Sequence, residues 1–154
     1  MDFNNIDIDN IKIEKQEQFY SIKYNNSKLL IKIPRLKVPF GIETEYNNLI
    51  LKLDLNTNES NNLKLLITNI ENKINNILNI NIKSQIRSDN ILICKIPKIK
   101  NKITTLIKDN NNSYFNIYNI TKNQLIEGCI YIDSIWEFQN KFYYKWNYKK
   151  IIII

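Results

Sequence analysis

The last thirty residues, LIEGCIYIDSIWEFQNKFYYKWNYKKIIII from Leu125 to Ile154, constrain this chain more than any other stretch. They hold both tryptophans, Trp136 and Trp146, among Tyr131, Phe138, Phe142, Tyr143, Tyr144 and Tyr148, with Lys141, Lys145, Lys149 and Lys150 interspersed. Ile130, Ile132 and Trp136 alternate with Cys129, Tyr131 and Asp133 at the two-residue period of a strand. Gln139-Asn140-Lys141 breaks the run, and Asn tolerates the left-handed backbone that a tight turn needs, so the stretch predicts a long β-hairpin. A three-residue loop sets Phe138 opposite Phe142 and gathers Trp136, Tyr144, Trp146 and Tyr148 on one face. A loop one residue shorter sends the second strand's set to the other side.

So many rings exceed what one buried face usually needs. They are either sheet core or a platform on which unpaired bases stack while ammonium groups hold the phosphates.

One domain fits 154 residues. Asn, Ile and Lys dominate, alanine is absent, and AT-rich codons supply that bias, so lysine content by itself says little. Residues that need G or C are then the informative ones: Pro34, Pro39 and Gly41 beside Arg35 in KIPRLKVPFGI, and Gly128, Trp136 and Trp146 in the hairpin. The net charge of +7 is uneven: residues 95–154 set ten lysines against four carboxylates, whereas residues 1–18 are acidic. A basic, aromatic third suits a polyanion, with binding that weakens in salt.

Along the chain, residues 1–18 read as an acidic edge strand or arm with a phase slip at Asn10. FYSIKY and KLLIKI form a hairpin across Asn25-Asn26-Ser27. KIPRLKVPFGI cannot be a central strand, since Pro34 and Pro39 remove ladder donors, and is expected as a stiff loop presenting Arg35, Lys37 and Phe40. That loop serves either binding or a crossover that anchors Phe40. NLILKLDL is a strand, and over 60–79 the period changes, with Leu63, Ile67, Ile70, Ile74 and Ile77 striping one helix that Asn58 or Ser60 caps. NILICKIP, KITTLIK and SYFNIYNI are expected as short strands, giving a mainly β small barrel or sandwich with an inserted helix.

Several chemistries are excluded. With no histidine there is no imidazole base, nucleophile pair or His-liganded metal, and two glycines cannot build a phosphate loop. Cys94 and Cys129 lie apart in apolar runs and read as buried free thiols of a reducing compartment. Asp133 and Glu137 look like surface charges. No signal peptide or membrane span is evident. An intracellular, non-enzymatic interaction module without cofactor or metal is expected.

YNNSKLLIKIPRLKVPFGI, followed by a strand, a helix and the closing hairpin, resembles a family of single-stranded-DNA-binding proteins of nucleocytoplasmic large DNA viruses. That family is similar in fold to the single-domain OB proteins of short-tailed bacteriophages. The resemblance runs from about Phe19 to the end and implies an OB-like barrel over 19–154 with a helical insertion near 60–79. It also implies sequence-tolerant binding of single strands in viral replication or recombination, in the host cytoplasm or at a viral replication site, and often homodimers. It sets Pro34, Pro39, Phe40 and Gly41 in the motif loop and Trp136, Phe142 and Trp146 in the hairpin. Phage members reach replication proteins through an acidic C-terminal tail; this chain ends in Lys149-Lys150 and four isoleucines, which puts that recruitment in doubt.

Taken together, single-stranded DNA is the expected partner. The stacking rings would be Phe40, Tyr143, Tyr144, Trp146 and Tyr148, and the phosphate contacts Arg35, Lys37, Lys141, Lys145 and Lys149. The competing reading is a virion or scaffold protein whose aromatic strip is a protein interface.

Overall fold

The computed structural model describes residues 6–154, and its spine is the closing hairpin: β13 (Gln124–Phe138) and β14 (Lys141–Ile153). The strands that come before it are β1 (Ile11–Lys15), β2 (Phe19–Tyr24), β3 (Ser27–Lys28), β4 (Leu30–Val38), β5 (Ile42–Glu45), β6 (Asn48–Leu51) and β7 (Leu53–Asp54). After α1 (Asn61–Leu78), the one α-helix among the described residues, come β8 (Ile91–Leu92), β9 (Cys94–Ile96), β10 (Lys98–Ile99), β11 (Lys102–Ile103) and β12 (Leu106–Asp109).

Because the hairpin is longer than its neighbours, two strands share each of its edges. β13 pairs antiparallel with β4 along Gln124–Tyr131 and with β2 at Ile135 and Trp136; β14 pairs in parallel with β12 near its end and with β9 at Trp146 and Asn147. The main order is β1-β2-β13-β14-β9-β6-β5. This ladder does not close: β4 packs beside β7 without pairing to it, so the barrel expected from the sequence is an open, coiled sheet. Of the acidic beginning, residues 1–5 lie outside the described residues, and from Ile11 the chain is the sheet's outermost strand, registered on β2.

The stiff loop expected at KIPRLKVPFGI is corrected. Its first part continues β4, and the reason is local: Ile33 faces Gly128 and Leu36 faces Ile126, so Pro34 falls at a register shift. A proline is tolerated there, since the irregularity leaves a position where no ladder donor is needed. The turn comes only at Pro39-Phe40-Gly41, where Gly41 adopts φ +66 and a Cβ would meet the Ile120 carbonyl oxygen at 3.3 Å. SYFNIYNI also departs from expectation. Asn116 accepts a hydrogen bond from the Tyr118 amide at 3.0 Å and starts a 3-10 turn, leaving only a bridge between Tyr114 and Lys108.

Among the described residues, four two-residue turns join neighbouring strands: Asn25-Asn26, Tyr46-Asn47, Lys100-Asn101 and Gln139-Asn140. All eight residues have positive φ, the backbone of the tight hairpin turn whose twist matches its strands.

The core lies on the inner side of the sheet. α1 adds Leu63, Leu66, Ile67, Ile70 and Ile74 to it, while Ile77, expected in the stripe, is exposed in the last turn. Ser60 occupies the cap position without a side-chain cap bond. No helix among the described residues is long and apolar enough to cross a membrane. Where β13 crosses β14, a Cβ built on Gly128 would sit 2.1 Å from the Lys150 carbonyl oxygen. Gly128→Ala must push two central strands apart, and urea denaturation should show a loss of about 1–3 kcal/mol.

Candidate nucleic-acid interface

Two irregularities decide which hairpin rings face outward. The turn is Gln139-Asn140, so Phe138 pairs with Lys141 and Glu137 with Phe142. This is the shorter of the two loops, and it sends the second strand's set to the opposite side from Phe138. A bulge between Ile132 and Ile135 then inserts a residue into β13, so Ile135 takes the inner position and Trp136 turns outward, away from Ile130 and Ile132.

The inner set is Tyr144, Trp146 and Tyr148, all fully buried. Their expected role as base-stacking rings is corrected by that burial. Their polar tips find partners inside, which makes such deep placement affordable. Trp146 Nε1 donates to the Tyr144 hydroxyl at 3.2 Å, Tyr144 donates to the buried Glu71 carboxylate, and the Tyr148 hydroxyl donates to the Leu51 carbonyl at 2.8 Å. Burial pushes the Glu71 carboxyl and both phenols above their ordinary ranges. Phe142 lies half-buried against the core, its ring 6.2 Å from that of Tyr20.

The outer set gathers toward the turn. Trp136 faces Tyr143 on one side and Phe19 on the other, and the Trp136 and Tyr143 rings stack at 6.1 Å with 26° between planes. Both are half-buried, while Phe138 is 60% and Phe19 42% exposed. Lys141 and Lys145 flank Tyr143 on the same side of β14.

Lysines continue across the outer side. The register aligns Lys12, Lys23 and Lys28 in one row over β1, β2 and β3, and Lys32, Cys129 and Lys150 in another over β4, β13 and β14. Like charges directly opposite one another repel, and Glu14 relieves the first row, 3.2 Å from Lys23. The Lys28 ammonium sits 3.7 Å above the Tyr131 ring, within cation–π range. Between the rows and the stacked rings, Lys95 of β9 stands opposite Asn147. Burial and the neighbouring Lys145 lower its ammonium below the ordinary lysine value, with Asp133 partly opposing them.

The other expected residues divide. Arg35 and Lys37 lie exposed on β4, and Arg35 is tied to Glu127 at 3.3 Å. Lys149 is exposed at the second register shift of the hairpin, and Tyr143, Lys141 and Lys145 belong to the outer cluster. Phe40 is not part of that cluster: its cation neighbours are Lys52 at 5.7 Å and Arg87 at 6.0 Å, and Lys52 is already paired with Glu43 at 2.8 Å. Phe19, Lys23, Lys28, Lys32, Lys95 and Asn147 were not singled out from the sequence. Their signal was alternation along β2, β4 and β9, readable only once their partners on the hairpin are known. Neither cysteine is poised as a nucleophile, since burial raises both thiols.

No protein-family model and no curated protein matches the chain. Its fold is similar to that in the crystal structure of gp2.5, a single-stranded DNA binding protein encoded by bacteriophage T7, with a TM-score of 0.56 and 7% identity over 82% of this chain and 86% of that one. At that identity the likeness is one of fold.

Proposed function

We propose that this chain is an OB-like, sequence-tolerant single-stranded-DNA-binding protein that acts in viral DNA replication or recombination through the outer side of its closing hairpin. The observation that carries this reading is the coincidence, on one sheet face, of the stacked Trp136 and Tyr143, the exposed Phe19 and Phe138, and rows of lysines aligned across neighbouring strands. Bases have a flat face whatever their identity, so a ring platform accepts any sequence, and ammonium groups at strand spacing follow the backbone. The fold likeness to a phage single-stranded DNA binding protein supports the same reading, as does the viral resemblance of the sequence.

Chemically, the face works by exchange. Unpaired bases leave water for the rings, and phosphates displace the counterions that otherwise soften repulsion along Lys12, Lys23 and Lys28. A duplex offers its phosphates with its bases already stacked, so it gains only the second contribution.

The test is a fluorescent oligothymidine titrated at rising salt. With four or five phosphates neutralised, log affinity should fall against log salt with a slope of about −3, and a duplex of equal length should compete poorly. A salt-independent affinity, or preference for the duplex, would overturn the reading. Light scattering that shows a large assembly indifferent to oligonucleotide would favour the scaffold role instead.

A further inference from the structure

The outer side of the sheet does not end at β14. Parallel pairing sets Leu106 of β12 beside Lys150, so the row of Lys32, Cys129 and Lys150 runs on to Leu106. Lys108 shares that side of β12 by strand alternation, and it bridges to Tyr114. Here a groove of about 490 Å³ opens, lined by Leu106, Lys108, Tyr114 and Tyr118 together with Lys98 and Lys102 of the β10–β11 hairpin. Its size is that of a small-ligand pocket.

The groove repeats the chemistry of the stacked-ring cluster. Tyr114 is 83% and Tyr118 62% exposed, and Leu106 is exposed between them and the sheet, so apolar surface is gathered around one opening instead of scattered. Both rings stand on tied backbone. The Asp109 carboxylate accepts from the Asn111 and Ser113 amides, each at 2.9 Å, which fixes the approach to Tyr114. The turn capped by Asn116 buries Ile117 and leaves Tyr118 outside. Among the described residues none of Lys98, Lys102 and Lys108 forms an ion pair.

We infer that this groove is a second contact for the same single strand, which leaves the Trp136 platform, crosses the lysine row and lodges a base against Tyr114 or Tyr118 with its phosphates on Lys98, Lys102 and Lys108. This rests on the single-strand reading above and deepens it by giving the strand a path. Three ammonium groups without counter-charge favour a polyanion over a neutral or basic peptide, and the groove adjoins the lysine row. Tyr143 and Lys150 lie about 23 Å apart at the rise of a strand, so only a strand of several nucleotides reaches both contacts. Once the platform is occupied, the groove meets the rest of that strand at high effective concentration.

The experiment measures oligothymidines of about 4 and about 16 nucleotides, the span of lengths that one such domain covers, at one salt concentration. Tyr114→Ala/Tyr118→Ala should weaken binding of the long oligomer by at least about fivefold, the loss of one stacked base, and leave the short one within about twofold. Both rings are exposed, so the melting temperature should hold. Should the double variant fold poorly, photocrosslinking of a long oligomer carrying 5-iodouracil to the unaltered protein decides, with adducts expected on Tyr114 or Tyr118. Equal losses on both lengths, or none on either, overturn the inference and leave the platform standing; no loss on either assigns the groove to an acidic protein segment instead. Failure of both oligomers to bind the unaltered protein overturns the platform reading as well.

Discussion

Replacing Trp136 with alanine should weaken oligothymidine binding by about 5- to 150-fold at fixed salt, the loss that corresponds to roughly 1–3 kcal/mol per stacked base. Trp136 is half-buried and its stacking partner Tyr143 lies at the outer surface, so the substitution removes platform and leaves the core intact. Thermal unfolding should therefore move by only a few degrees. Fluorescence anisotropy of a labelled oligomer reads the first quantity and circular dichroism the second. An affinity within twofold of the parent, with the fold retained, would mean that bases do not stack there. The lysine rows would then hold the strand by charge alone.

The other tryptophan should behave in the opposite way. Trp146 is fully buried, packs edge-on against Tyr144 at 6.1 Å and donates its indole proton to that phenol, which in turn donates to Glu71. Trp146→Ala opens a large cavity and breaks that chain of hydrogen bonds, at a cost of about 3–5 kcal/mol. Against a total stability of about 5–15 kcal/mol for a domain, this threatens the fold itself. Urea denaturation should show the midpoint collapse, and any loss of DNA binding should track the unfolded fraction. If Trp146→Ala stays folded with its midpoint unchanged and binds less, the inner assignment of that ring is wrong. The two indoles thus separate function from stability within one hairpin.

Much of this was legible in the residues. The hairpin, the helix near 60–79 and the short strands on either side follow from periods of two and of 3.6, which depend on local burial. What could not be read was phase. In the hairpin, a single residue in the turn and a single bulge at Asp133-Ser134 decide whether Trp136 or Trp146 meets solvent, and neither choice changes composition or spacing. The same limit applies to KIPRLKVPFGI. Pro34 argues against a strand until the partner is known to be irregular at that point, and the irregularity belongs to residues almost a hundred positions away. Lysine rows such as Lys12, Lys23 and Lys28 are invisible for that reason too, being made by pairing between strands.

The four strand-joining corners carry a further implication. Each places asparagine second in a backbone shape that glycine would take most freely, yet the chain has only two glycines, at positions 41 and 128. Asparagine reaches the same shape with fewer alternatives open to it when the chain is loose, so each bend surrenders less freedom on closing. A residue this sequence uses abundantly thereby sets the strand offsets, and with them the choice of which indole reaches water. The apparent monotony of this sequence is part of how it encodes shape.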